Sequence, residues 1–257
     1  MRKKILKYCL CGVLFVLVFG MTGCASLGTY NPATGRRELI IISTPAEVSM
    51  GQDIHHKVLR EYDLVPLEDP LSRRVRKIGQ RVAQVSDRQD YEYHFYVFKE
   101  DEMNAFTTPG GNIYIFSGLV EKLKTDGAIA SVLAHEIGHC AARHTVKKFQ
   151  AALGYNLIGS LIFSQVEMGE QARRIAQMSS DTAMRLVFSA YSRQDEYEAD
   201  RLGVKYLDWS GYDVRDMIKA LEILKAESKG PSAPLILRSH PYLTDRIRAI
   251  RKLIATK

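Results

Sequence analysis

The chain has 257 residues, 46% of them apolar and 25% charged, with a formal net charge of +7, a composition that can bury one sizeable core in a single domain. Four of its cations, Arg2, Lys3, Lys4 and Lys7, fall in the first seven residues and without them the charge is +3, which removes the electrostatic footprint that nucleic-acid binding needs. Of the four cysteines, Cys9 and Cys11 lie in the same leading segment and Cys24 reads as a lipid anchor, so an intramolecular disulfide is excluded.

In chain order, residues 1–23 read as a secretory signal: MRKKILK is a basic start, YCLCGVLFVLVF an apolar run too short to span a bilayer, and MTGC a small-residue stop. The ending Gly23-Cys24 resembles a bacterial lipobox, with Met21 where leucine is usual, which makes Cys24 the lipidated first residue of the exported chain. Residues 24–44 are rich in turn formers and read as a tether, leaving 45–257 as the folded domain. Thr44-Pro45-Ala46-Glu47 predicts a helix start with Thr44 as N-cap, running to about Tyr62. Val75, Ile78, Val82 and Val85 predict a second helix over about 71–85. YEYHFYVF at 91–98 and IYIF at 113–116 read as strands, with a turn at Pro109-Gly110-Gly111-Asn112 before the second. Helices are then expected over about 118–124 and 127–149, in one or two pieces between 151 and 207, and over 214–228 and 242–255. The fold class is α+β, a mostly helical domain with a small sheet. No internal repeat is present and no further run is long and apolar enough to cross a membrane.

Within the helix expected at 127–149, VLAHEIGHCAARH carries H-E-x-x-H. Residues four apart sit one turn above each other, so His135 and His139 present two imidazoles to one point, as zinc requires. Glu136 points off the same side, where it can take a proton from a water that the metal acidifies and pass it to a leaving amine. Ala134, Ile137, Gly138 and Ala141 are apolar or small, a setting in which an unpaired His or Glu would be costly. His144 sits about 180° round the helix from His135 and reads as a packing or hydrogen-bonding residue; Cys140, about 100° from its neighbour His139, reads as a small buried one. A third ligand six residues after His139 is ruled out, because Thr145 stands there. The segment SRQDEYEADRLG at 192–203 offers a carboxylate instead. Glu196 and Asp200 are one turn apart, so Glu196 can ligate while Asp200 accepts a hydrogen bond from the outer N–H of a ligating His; spacing alone leaves Asp195 and Glu198 as alternatives.

Several pieces in order, Asn104-Ala105-Phe106 with Pro109-Gly110-Gly111, LAHEIGH with Ala142-Arg143-His144, EYEADRLG, GYD at 211–213 and SHP at 239–241, resemble the zinc metallopeptidases of the type-I CAAX prenyl protease and HtpX kind. These are gluzincins, and the resemblance spans roughly residues 45–250. It implies a zincin-like domain with one zinc ion per chain on His135, His139 and Glu196, Glu136 as catalytic base, and Asp200 as partner of a ligating histidine. It also places His240 near the zinc, where it can stabilise an oxyanion or occupy the open position. It further implies that the strand before the active-site helix, with Ile113, Tyr114 and Ile115 and with Asn104 and Gly111 nearby, is an exposed edge on which extended substrate pairs. Many such relatives have Glu where Ala128 stands. His55, His56 and His94 match no metal motif and read as surface or packing residues.

The expectation is a membrane-anchored zinc metalloendopeptidase with no nucleic-acid partner, held through lipid on Cys24 at the periplasmic face of the outer membrane, since Ala25 rather than Asp follows the anchor. Its expected substrates are unfolded or misassembled cell-envelope proteins. The alternative is a non-hydrolytic envelope assembly factor with a structural zinc site.

Overall fold

Apolar residues at helical spacing pull α1 (Thr44–Glu61) and α2 (Pro70–Ala83) onto the molecule: Met50, Ile54 and Val58 on the first and Val75, Ile78 and Val82 on the second are buried, each such side chain contributing about 1.5–3 kcal/mol when fully removed from water. The computed structural model describes residues 28–152, 180–229 and 233–256, so Cys24 and the signal segment lie outside the described residues. The N-cap of α1 is Ser43 rather than Thr44, its side chain accepting from the Ala46 N–H. The Thr44 hydroxyl is 2.6 Å from Asp90 Oδ2 instead.

From Thr29 onward the expected tether is folded. β1 (Thr29–Asn31) and β2 (Arg36–Glu38) form an antiparallel hairpin turned at Gly35, whose φ is +68°. A two-stranded ribbon is marginal alone, and this one is held by tertiary contacts. Asn31 donates to the Ala141 carbonyl at 3.2 Å, Ala33 joins the core, and Lys147 donates to Glu38 Oε1 at 2.8 Å.

The sheet has three strands, β3 (His94–Phe98), β4 (Ala105–Thr107) and β5 (Asn112–Phe116), in the order β3-β5-β4, with β5 parallel to β3 and antiparallel to β4. This corrects the edge-strand assignment for 113–116. Ile113, Tyr114 and Ile115 form the middle of the sheet, hydrogen-bonded on both sides and at most 1% exposed, so their backbone has no side free for a substrate. The edge next to them is β4, three residues long and too short for alternation to reveal in the sequence. One face of the sheet carries stacked aromatics, Phe98, Phe106 and Tyr114, with centroids 4.8–5.3 Å apart from Tyr114, in one core with α1. The other face, with Phe95, Val97, Ile113 and Ile115, lies in the main core with α2 and the helix that follows.

That helix, α4 (Asp126–Ala141), comes after α3 (Ser117–Leu123) and is capped by Thr125. It is buried from Ala128 to Ala141, all round. It stops at Ala142–Arg143, with Arg143 at φ +58°, and helix resumes at 144. The continuous helix expected to 149 is therefore broken by tertiary contacts that no Gly or Pro announces, since the Arg143 guanidinium is held by Ile42 and by buried Glu47. The remaining helices are α5 (Ser180–Val187), α6 (Arg193–Trp209), α7 (Arg215–Glu227), α8 (Ile236–Ser239) and α9 (Leu243–Ala255). α6 begins with a capping box of Ser192 and Asp195 and packs tightly on α4, since a Cβ on Gly138 would stand 2.7 Å from the Ala199 carbonyl oxygen. Among the described residues no helix is long and apolar enough to cross a membrane.

Candidate metal centre

The all-buried α4 fixes His135 and His139 one turn apart, the close crossing of α6 brings Glu196 opposite them, and the chain between α8 and α9 brings His240 to the same point. Nε2 of His135 and of His139 are 3.0 Å apart, His139 Nε2 is 3.3 Å from Glu196 Oε1, and His240 Nδ1 is 3.1 Å from that oxygen and 3.2 Å from His135 Nε2. All four donors lie within 4.8 Å of one another, and all four residues are buried. Four donors arranged tetrahedrally about 2.05 Å from one ion are spaced roughly 3.3 Å apart, so the separations match those of a tetrahedral ion site.

Hydrogen bonds behind the cluster set which nitrogen of each imidazole faces it. His135 Nδ1 lies 2.9 Å from Asp200 Oδ1, so it carries the proton and leaves Nε2 a free lone pair. His144 Nε2 faces Glu198 Oε2 at 3.3 Å and Asp195 Oδ1 at 3.5 Å and is therefore its donor nitrogen, which leaves His144 Nδ1 to accept from His139 Nδ1 at 2.9 Å. His144 is thus a hydrogen-bonding residue, and its partner is the second imidazole of the motif. Asp195 and Glu198, the alternatives to Glu196, stand on this outer side and not in the cluster. Burial, opposed by the neighbouring Glu196 carboxylate, holds His139 well below its ordinary pKa, in the neutral form that metals bind.

Arg246, on α9, is a residue that the sequence reading missed. Its buried guanidinium donates to both Asp200 oxygens at 2.8 and 2.7 Å and to Glu196 Oε2 at 2.5 Å. Burial alone would raise both carboxyls; the Arg246 charge, with the histidines that face them, instead holds Glu196 well below and Asp200 below the usual carboxylate range. Tyr191 was also missed. Its ring stacks on His139 with centroids 3.9 Å apart, and its hydroxyl is 3.0 Å from Thr145 Oγ1. Neither residue stands at a spacing that marks it in a single sequence, since the loop before α6 and the second turn of α9 meet α4 only in three dimensions.

Glu136 is fully buried, and neither carboxylate oxygen has a hydrogen-bond partner; His240 Nε2, also without one, lies 3.4 Å from Glu136 Oε1. A buried carboxylate without partners costs several kcal/mol. The orphaned oxygens beside four convergent donors therefore fit a centre completed by a cation. Among the other expected site residues, Asn104 is buried at the head of β4 with neither amide atom paired, while Gly111 is structural: its φ is +83° and a Cβ would meet the Glu92 carbonyl at 2.6 Å. Cys140 is buried with Sγ 2.8 Å from Thr107 Oγ1, and burial pushes its thiol up to about 12. His55 bonds the Tyr114 hydroxyl at 2.9 Å, a packing role.

A buried helix carrying two imidazoles and a carboxylate, crossed by a second helix that supplies a glutamate and flanked by a small sheet, defines the zincin class of metal-dependent hydrolase folds. Residues 70–254, which contain every member of the cluster, match the pattern of Peptidase family M48. The chain belongs to that family. It is similar to the mitochondrial metalloendopeptidase OMA1 of Schizosaccharomyces pombe, 28% identical over 226 residues that cover 87% of this chain and 65% of that protein. It is similar also to OMA1 of Saccharomyces cerevisiae, at 29% over 92% of this chain and 72% of the relative. The beta-barrel assembly-enhancing protease of Escherichia coli is 30% identical over 217 residues, 82% of this chain but 44% of the relative. The chain thus spans between 44% and 72% of the length of these relatives.

Proposed function

We propose that this protein is a zinc metalloendopeptidase of the cell envelope with one ion per chain, anchored through lipid on Cys24 at the periplasmic face of the outer membrane and acting on unfolded or misassembled envelope proteins. The observation that carries the reading is the unpaired, fully buried carboxylate of Glu136 beside the donor cluster. A purely structural site has no use for a base beside its ligands. The name of the beta-barrel assembly-enhancing protease supports an envelope client, and the order of motifs shared with the type-I CAAX prenyl protease and HtpX kind supports the same residue roles.

In this reading His135, His139 and Glu196 hold the ion, which when bound supplies Lewis acidity that polarises the scissile carbonyl and acidifies water. Glu136 takes the proton at a carboxylate oxygen and delivers it to the leaving amine. Asp200 and His144 hold the two imidazoles in the tautomer that leaves Nε2 free. Arg246 keeps Asp200 and Glu196 ionised and fixed, and Tyr191 packs against the face of His139. His240, its Nδ1 among the donors, stands in the position that a substrate needs, so the resting enzyme is latent until the segment bearing His240 moves. Extended substrate pairs along β4, the outer strand that follows Asn104, once the cover that leaves its residues at most 2% exposed has moved, with little demand on sequence.

The test compares wild type with Glu136→Gln and His240→Ala on an unfolded outer-membrane protein, by mass spectrometry of released peptides with and without chelator and by elemental analysis. Expected are one zinc per chain in wild type, faster cleavage by His240→Ala, and loss of cleavage with zinc retained in Glu136→Gln. Binding of the unfolded protein with no cleavage by any of the three favours the non-hydrolytic assembly factor; absence of zinc refutes both readings.

A further inference from the structure

The helix α2 carries five cations, Arg73, Arg74, Arg76, Lys77 and Arg81, and no acid between Pro70 and Ala83. Arg74 pairs with Asp126 at 2.7 Å, and among the described residues the other four make no ion pair. Arg73, Lys77 and Arg81 are exposed and stand four residues apart. Three like charges therefore line one stripe of the helix, an arrangement that destabilises it. Counter-charge from outside the molecule would relieve that repulsion.

The stripe continues onto α6. Arg81 Nε donates to the Ser210 carbonyl at 2.7 Å, and the neighbouring Trp209, the only tryptophan of the chain, is 58% exposed. Lys205 Nζ lies 4.4 Å from the centre of the Trp209 ring. One turn before Lys205, Arg201 donates at 3.1 Å to the Ala33 carbonyl, in the turn of the hairpin of β1 and β2. Cations alone would suit any polyanion; the tryptophan and the hairpin choose among them. An exposed indole set among cations is the composition that settles at the headgroup level of a bilayer. The hairpin begins at Thr29, five residues after Cys24, and five residues reach at most about 18 Å. Lipid on Cys24 therefore holds this side of the molecule close to a membrane.

We propose that this face, Arg73, Lys77 and Arg81 of α2 with Lys205 and Trp209 of α6, lies on the surface of a membrane that contains anionic phospholipid. The cations meet the phosphates, and the Trp209 ring sits among the headgroups. The inference rests on the lipid-anchored reading and adds an orientation to it. Glu196 points about 180° round α6 from Lys205, toward α4, so the metal centre is turned away from the bilayer and takes its substrates from the aqueous side.

The test reconstitutes the protein, purified from its membrane, with vesicles of phosphatidylcholine alone or mixed with phosphatidylglycerol. The single tryptophan makes emission a direct report on this face. With phosphatidylglycerol, emission should shift to the blue and be quenched by brominated acyl chains. In phosphatidylcholine alone, or in about 1 M salt, where the Debye length is about 3 Å, it should do neither. Each cation near an anionic surface changes the ratio of membrane-laid to free-standing protein about fivefold, so Arg73→Gln with Lys77→Gln should lower that ratio about 25-fold. A Trp209 signal that ignores phosphatidylglycerol, or that is undiminished in the double variant, overturns the proposal. So does a shift produced by poly-glutamate and not by the vesicles, which would assign the face to an acidic protein. Flotation reads the anchor separately. Protein that floats only with phosphatidylglycerol has the face without the lipid, whereas protein that floats with both lipids but keeps Trp209 in water has the lipid without the face.

Discussion

Replacing Arg246 by methionine should destabilise the metal-free protein far more than the zinc-loaded one. The guanidinium sits 2.5 Å from Glu196 and 2.7–2.8 Å from Asp200, with all three side chains at most 3% exposed. Methionine keeps much of the side-chain volume but leaves two buried carboxylates without their fixed cation. Breaking one buried pair costs about 3–5 kcal/mol. With two acids on one cation the upper end applies, so the metal-free variant should lose about 5 kcal/mol. At about 2–4 °C per kcal/mol for a chain of 150–250 residues, that is roughly 10–20 °C in Tm. With zinc bound, the ion replaces the lost charge beside Glu196 and only the share of Asp200 is missing, about half as much. Thermal melts followed by circular dichroism, with chelator and with excess zinc, give the four Tm values. The zinc-induced rise in Tm should be larger in Arg246→Met than in wild type. Equal losses with and without zinc, or no loss at all, would refute the assignment of Arg246 as the buried counter-charge to both acids.

Asp200→Asn replaces the charged acceptor that fixes the His135 tautomer by a neutral amide whose NH2 must face either His135 or the Arg246 guanidinium, and should weaken zinc binding about 10–100-fold, measured by competition with a fluorescent chelator, with a smaller effect on secondary structure. Gly138→Ala puts a Cβ within 2.7 Å of the Ala199 carbonyl; forcing α4 off α6 should cost about 1–3 kcal/mol and lower zinc affinity together with Tm, since His139 and Glu196 lie on the two helices being separated. Acid should act through the depressed carboxyls of Glu196 and Asp200, whose unfolded values are near 4.5 and 3.8. Because the folded values are lower, their contribution is present above about pH 4.5 and is lost as pH falls through the folded values. Tm followed from pH 6 to 3 in metal-free protein should therefore fall, and should fall less steeply in Arg246→Met, where the carboxyls are no longer held down. Cys140, its thiol pushed up to about 12, should react with iodoacetamide at pH 8 only as fast as the protein unfolds; rapid labelling of the native protein would mean that the thiol is not sealed behind Thr107.

Spacing along the chain determined the parts of this protein whose geometry is local. Two histidines four apart on an apolar helix must face one point, and the same rule put Asp200 one turn beyond Glu196, so the facing imidazoles, the pair of carboxylates and the helices that carry them were legible without coordinates. The choice of Glu196 over Asp195 and Glu198 was not local; it depended on which face of α6 meets α4, and the approach at Gly138 and Ala199 decides that. Tertiary structure alone decided the rest. Arg246 and Tyr191 carry no periodic signal and act only because three distant segments converge on α4. The hairpin at residues 29–38 looked like a tether because turn formers in a linker and in a tight turn are the same residues. The strand at 113–116 was legible as a strand, but its place in the sheet was not, since alternation reports which face of a strand is buried and says nothing of how many neighbours it pairs with.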